Sequence, residues 1–159
     1  MRRFAKRHHL PFAEFEREYL KLIPPSENHR ISGKELWRRL LKRYRLRLDV
    51  DEIISEMIDK RREKKSTLVF VKKLREHGFK TAYFTNYNKD YWDEIVRRFP
   101  LTEYFDTGLV SYEISARKPA AKGFKYLLKK LGAKPEETLF IDDRAGNLVE
   151  PAKLGIRTI

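Results

Sequence analysis

The stretch T-L-F-I-D-D-R-A-G-N-L, residues 138 to 148, decides how the rest of this chain is read. Leu139, Phe140 and Ile141 form a short apolar run with no polar alternation, the pattern of a strand covered on both faces. Asp142 and Asp143 follow at once, and then come small residues and the apolar positions Leu148, Val149 and Leu154 at helical spacing. The stretch therefore predicts a buried strand that turns into a helix, with two adjacent carboxylates at its carboxyl end. Two such groups repel each other and resist desolvation, so a positive charge should face them.

Working outward, the same alternation recurs. Leu68, Val71 and Leu74 mark a helix ended by His77-Gly78, and T-A-Y-F-T-N (81 to 86) is a second buried strand. Trp92, Ile95, Val96 and Phe99 mark a helix stopped by Pro100, and G-L-V-S-Y (108 to 112) is a third strand leading to A-R-K-P. A helix with Phe124, Leu127, Leu128 and Leu131 ends at Gly132, where a left-handed cap costs little. After the 138–148 stretch the helix containing Pro151 leads through Gly155 to the strand I-R-T-I. Strands alternating with helices predict a parallel sheet with helices on both faces, whose polar residues gather at the strands' carboxyl ends.

Residues 1–65 read differently, as helix throughout. Phe12, Phe15, Tyr19 and Leu22 recur at helical spacing until Pro24-Pro25 should stop the run. Ser32 with Glu35 and Asp49 with Glu52 are capping-box patterns. They open helices carrying Leu36, Trp37, Leu40, Leu41 and Tyr44, then Ile53, Ile54, Met57 and Ile58. The expected organisation is a helical subdomain at 1–65 and an α/β core at 66–159.

In such a sheet three strand ends would meet at one crevice: Thr85-Asn86, Lys118, and Asp142-Asp143. A hydroxyl, an ammonium and two carboxylates suit a phosphoryl group with Mg2+, a hard cation that takes oxygen ligands. In this order, Y-F-T-N, S-A-R-K-P and F-I-D-D-R-A-G-N resemble motifs II, III and IV of the haloacid dehalogenase-like (HAD) hydrolase superfamily. They are similar to the group with a double-Asp fourth motif and a small helical-bundle cap, and the likeness covers essentially the entire chain, with I-S-G-K-E-L-W inside the cap portion.

The resemblance implies a Rossmann-like three-layer core with an inserted all-α cap, and a Mg2+-dependent phosphatase acting on a small phosphorylated metabolite. It implies an Asp nucleophile that forms an aspartyl-phosphate, and a second Asp two residues on that serves as acid and base. Position by position, Thr85 would hydrogen-bond the phosphoryl group, Lys118 would stabilise its charge, Asp142 and Asp143 would hold the metal, and Asn86 would line the entrance. The bundle would close over the crevice and choose the substrate.

The family's first motif, an apolar strand ending in D-x-D before the cap, has no counterpart here. The only D-x-D is Asp49-Val50-Asp51, where Asp49 and Glu52 already fit a helix cap. No nucleophile is therefore expected in this chain, and the 159 residues alone are expected to be inactive. In the family the missing strand is the central one, between those bearing Thr85 and Asp142, so its loss predicts two unpaired inner edges open to self-association. Truncation at both ends is the expected cause. The alternative is a non-catalytic phosphate- and metal-binding remnant, or one that completes its sheet with another chain's strand.

Composition closes off other classes. The chain has no cysteine, which excludes disulfides, thiolate metal sites and a cysteine nucleophile. No apolar run approaches membrane-spanning length and the basic start is no signal peptide, so a cytoplasmic protein is expected. The net charge of +13 raises the question of nucleic acid. Lys and Arg are nevertheless spread over helix faces that also carry Glu and Asp, with no recognition motif, so nucleic acid is disfavoured as a partner.

Overall fold

Ser32 shows how local chemistry sets this architecture: its hydroxyl accepts the Glu35 N–H at 2.9 Å, and Asp49 does the same for Glu52 at 2.9 Å. Both capping patterns therefore start helices where expected. A computed structural model describes all residues from Met1 to Ile159. Four helices come first: α1 (Arg2–Arg7), α2 (Phe12–Glu27), α3 (Gly33–Arg43) and α4 (Val50–Asp59). The alternating part follows as α5 (Lys65–Glu76), β1 (Ala82–Thr85), α6 (Lys89–Arg98), β2 (Thr107–Val110), α7 (Ala121–Leu131), β3 (Leu139–Phe140), α8 (Ala145–Lys153) and β4 (Arg157–Thr158).

Two details of the helical part differ from expectation. α2 runs through Pro24 and Pro25 and ends only at Glu27, because the Asn28 N–H still reaches the Pro24 carbonyl at 3.1 Å and closes one more turn. The prolines fall in the last turn, where only two ladder donors are lost. The basic start forms α1, which buries Phe4 and Ala5 against Phe15 and Trp37.

Hydrophobic burial gathers in two places. The larger core joins Phe4, Phe15, Trp37, Leu40 and Ile58 of the bundle to Tyr91, Trp92 and Ile95 of α6. Trp37 donates its indole N–H to the Tyr91 hydroxyl at 2.8 Å inside it. The second core, Phe84, Leu109, Phe124 and Ile156, lies between the strands and α7. Successive residues of β1 thus face opposite layers: Tyr83 meets Trp92 at 5.3 Å on the α6 side, and Phe84 meets Phe124 at 5.2 Å on the α7 side.

All pairing is parallel, as the crossovers require, with Ala82 beside Thr107 and Leu139 beside Arg157. β1 pairs only with β2 and β3 only with β4, so the strands make two separate two-stranded sheets. α7 spans both: the Phe124 ring lies 5.2 Å from Phe84 of β1 and 4.9 Å from Phe140 of β3. β1 and β3 are thus linked through one ring of α7 and not through backbone hydrogen bonds.

The interruption corrects the reading of 139–141 as fully buried. Leu139 and Ile141 are 50% and 59% exposed, and only Phe140 turns inward onto α7. The outward face has no helix over it. The same lack of cover affects α5, none of whose residues is buried, Leu68, Val71 and Leu74 included.

Candidate functional site

The strand ends bring together Asn86, Lys118 and Asp142 through hydrogen bonds that neither Thr85 nor Asp143 shares. Asn86, just past β1, accepts the Lys118 N–H at 2.7 Å and donates to the Lys118 carbonyl at 3.2 Å. Both ends of its carboxamide hold the backbone of one residue, so Asn86 sets the position of Lys118. Held this way, Lys118 extends its ammonium between the rings of Phe84 (5.9 Å) and Phe140 (5.7 Å) to Asp142 Oδ2 at 2.6 Å. The cation demanded by Asp142 is thus a residue of the chain itself.

The Asp142 side chain is 6% exposed and accepts two further hydrogen bonds at Oδ1, from the Arg144 N–H at 3.0 Å and Asn147 Nδ2 at 2.9 Å. Burial alone would raise its pKa, but Lys118, Asn147 and the Arg144 N–H together hold it below the ordinary carboxylate value. Asp143 is exposed and stands beside it without a partner side chain. Thr85 is half-buried at the end of β1 and borders a hollow of about 310 Å3 walled by Tyr83, Trp92, Phe99 and Tyr104. Lys118 and Asp142 do not line that hollow, which lies on the α6 side of β1.

Sequence reasoning missed a second layer around Lys118. Glu27, at the end of α2, lies with Oε2 2.8 Å from Arg117 Nε, and its carboxylate is 13% exposed. Its own carbonyl accepts the Ser111 hydroxyl at 2.8 Å, fastening α2 to the end of β2. Burial raises the Glu27 pKa, opposed by Arg117, Arg144 and Lys118. Arg117 was visible in S-A-R-K-P, but nothing marked Glu27, which lies beyond the prolines where the helix was expected to have stopped.

Every other aspartate is engaged away from this crevice. Asp49 caps α4, Asp51 pairs with Lys34 at 2.6 Å, and Asp59 pairs with Arg98. Asp90 accepts the Lys34 N–H at 2.9 Å, Asp93 pairs with Lys89 at 2.6 Å, and Asp106 pairs with Arg75 at 3.0 Å. The D-x-D at 49 to 51 is therefore capping and ion pairing.

The donor set suits a hard cation only in part. No three His, Cys, Asp or Glu side chains converge, and the available oxygens are those of Asp142 and Asp143. A small cation that keeps waters and takes oxygens from a bound phosphate is compatible with one or two carboxylates. No helix is long and apolar enough to cross a membrane.

The family model of the haloacid dehalogenase-like hydrolases matches residues 2–152. A glyceraldehyde 3-phosphate phosphatase of Methanocaldococcus jannaschii is 33% identical over 95 residues, covering 58% of this chain and 41% of the relative. Pyrophosphatase PpaX of Halalkalibacterium halodurans is 30% identical over 88 residues, covering 55% of this chain and 41% of that protein. Both matches span less than half of the relative's length. Among solved structures, a HAD-family enzyme of Bacteroides thetaiotaomicron superposes with a TM-score of 0.82 at 25% identity, covering 94% of this chain and 77% of that one. The same enzyme solved with magnesium and inorganic phosphate superposes at 0.76.

Proposed function

This chain belongs to the haloacid dehalogenase-like hydrolases, and we propose that it carries most of a Mg2+-dependent phosphatase for a small phosphorylated metabolite, with the nucleophilic aspartate outside these 159 residues. The observation that carries the reading is the Lys118–Asp142 clamp at the strand ends, 2.6 Å long and built on Asn86. A lysine fixed there can release Asp142 and turn its charge to the oxygens of an entering phosphate. Thr85 offers a hydroxyl to the same phosphoryl group from β1. Asp142 and Asp143 would hold Mg2+, which when bound offsets the charge of the phosphoryl oxygens. The magnesium and phosphate of the Bacteroides thetaiotaomicron enzyme, and the phosphorylated compounds for which the two phosphatase relatives are named, support this choice of ligands.

The nucleophile is assigned outside the chain because no aspartate here, apart from 142 and 143, is near Lys118. A strand ending in D-x-D and seated between β1 and β3 would supply it and join the two sheets. The test is p-nitrophenyl phosphate hydrolysis with Mg2+. Turnover is expected to be absent for the 159-residue chain and to appear when a D-x-D strand is added. Rapid turnover by the chain alone would show the nucleophile to be among its own residues.

The engagement of all other aspartates also favours a second reading, a phosphate- and metal-binding protein without catalysis. It predicts Mg2+-dependent binding of phosphate esters and no turnover even with the strand added. For nucleic acid, part of the basic charge is paired on the surface, as in Arg7–Glu56, Arg39–Glu35 and Arg43–Glu14. Tight binding of a random duplex at low salt that falls steeply as salt rises would favour nucleic acid, and no binding even at low salt would end that reading.

A further inference from the structure

Neither Lys118 nor Asp142 lines the hollow of about 310 Å3 on the α6 side of β1, and its own lining has a distinct chemistry. The wall is built from rings: Tyr83, Tyr87, Trp92, Phe99, Tyr104 and Phe105. Several of them hold one another in place. Tyr83 lies 5.3 Å from Trp92 and meets Phe105 edge-on at 5.4 Å, and Tyr87 lies 6.1 Å from Trp92. An apolar cavity of about 150 Å3 is enough for one benzene ring. The space here therefore suits two fused rings, and aromatic walls favour a flat guest that stacks on them or meets them edge-on.

The exposed side of the hollow carries charge. Arg61, Arg62 and Lys64 line it, all exposed, against the single carboxylate of Glu63. Other carboxylates of this region are taken: Glu56 pairs with Arg7 and Lys60, Asp59 with Arg98, and Glu94 with Arg97 and Arg98. Arg62 donates to the carbonyls of Asp59 at 2.6 Å and Arg61 at 3.0 Å, which steady its guanidinium without neutralising it. A second recess adjoins, sharing Arg61, Arg62, Glu63 and Phe99 with the hollow and adding Lys65 and Arg98. A guest with its rings in the hollow would meet these cations where it emerges, and a guanidinium can both stack on a ring and pair with a carboxylate. A segment that only completed an apolar core would leave the cations unanswered.

We propose that this hollow binds a small planar aromatic carboxylate of one or two fused rings, with the rings against Tyr83, Trp92 and Phe105 and the carboxylate at Arg61 and Arg62. The site goes beyond the phosphatase reading and does not depend on it. Its ligand touches β1, α6 and the connection between α4 and α5, and Lys118 takes no part.

The test is calorimetric titration of the 159-residue chain near neutral pH and at low salt by 2-naphthoate and by neutral 2-naphthol, which share one ring system. 2-Naphthoate should bind about fivefold more tightly, the size expected for charge contacts at an exposed rim, and its advantage should shrink as NaCl screens them. In Arg61→Ser/Arg62→Ser the two should bind alike. Thr67→Trp, which sets a large side chain at the exposed edge of the hollow, should weaken both at least about tenfold, a methylene-rich contact surface being displaced. All three positions are exposed, so the variants should keep the fold. Should Thr67→Trp lose it, the wild-type preference and the double variant decide the matter. Binding of 2-naphthol as tight as that of 2-naphthoate to the wild-type chain would mean an uncovered apolar face and no site for an anion. An unchanged preference in the double variant, or undiminished binding in a folded Thr67→Trp, would place the ligand elsewhere. Each of these results, like failure of 2-naphthoate to bind at all, overturns the proposal and leaves the phosphatase reading standing.

Discussion

Lys118 is paired with Asp142, the carboxylate proposed above to hold a metal, and this makes its removal informative. Its side chain is 14% exposed and that of Asp142 is 6%, so Lys118→Met leaves a shielded carboxylate without its cation. Losing one partner of such a pair costs about 3 kcal/mol, which urea denaturation should register as a lower midpoint at unchanged slope. Because Asp142 Oδ2 is then free, MgCl2 should restore more stability to the variant than it adds to wild type. An equal response in both would remove Asp142 from the metal site. At this scale the sequence was legible where chemistry is carried by unusual neighbours: adjacent Asp142 and Asp143 required a cation, and Lys118 is that cation. Asn86 was picked out, but its commitment to the Lys118 backbone was invisible because a carboxamide at a strand end has no spacing signature. Glu27 lay beyond reach because the contact that matters spans the whole molecule.

At the level of elements, two close approaches decide whether the strands and their helices fit. Gly123 lies inside α7 directly under the Phe84 ring of β1, and a Cβ there would collide with that ring. Gly123→Ala gains up to about 1 kcal/mol of helix propensity but forces overpacking that costs about 1–3 kcal/mol. A net loss in urea denaturation is expected. Gly146→Ala in α8, where an added Cβ meets nothing within 4 Å, should instead stabilise by about 0.5–1 kcal/mol. The other approach is electrostatic. Asp106, just before β2, accepts the Thr81 N–H at 2.7 Å and pairs with Arg75 of α5 at 3.0 Å. The Thr81 N–H lowers its pKa against the opposing effect of burial, helped by the Thr81 hydroxyl and Arg75. A folded pKa below the ordinary 3.8 means stabilisation that is present above 3.8 and lost as pH falls through the folded value. Asp106→Asn should therefore melt at a lower temperature than wild type near neutral pH, with the gap closing as the solution is taken below that point. A gap independent of pH would mean that the hydrogen bonds, and not the charge, stabilise the junction. Element types and most ends were readable from caps and periodicity, whereas α2 passed its prolines because one remaining ladder bond to Pro24 sufficed.

Over the whole molecule the governing feature is the gap between β1 and β3. Parallel α/β order follows from alternating patterns, and these patterns cannot show whether every position in a sheet is filled. The consequence appears in α5: its apolar residues have the right spacing for a core, yet none is buried, and Val69, Phe70 and nearby Phe79 are each more than half exposed. α3, by contrast, buries Leu36, Trp37, Leu40 and Leu41 in the larger core. Local opening is governed by such burial, so amide hydrogen exchange should divide the chain sharply. The α3 amides should exchange only with global unfolding. Those of α5, and the inner-edge amides of β1 and β3, should exchange orders of magnitude faster. The exposed edges and apolar residues should also make apparent mass rise with concentration in sedimentation. Adding the strand proposed to carry the nucleophile should reverse both effects together, protecting α5 and the two inner edges and holding the protein monomeric. Protection of α5 equal to that of α3 without any added strand would mean that the two sheets and α5 form a finished core as they stand. The search for the nucleophile would then return to these 159 residues.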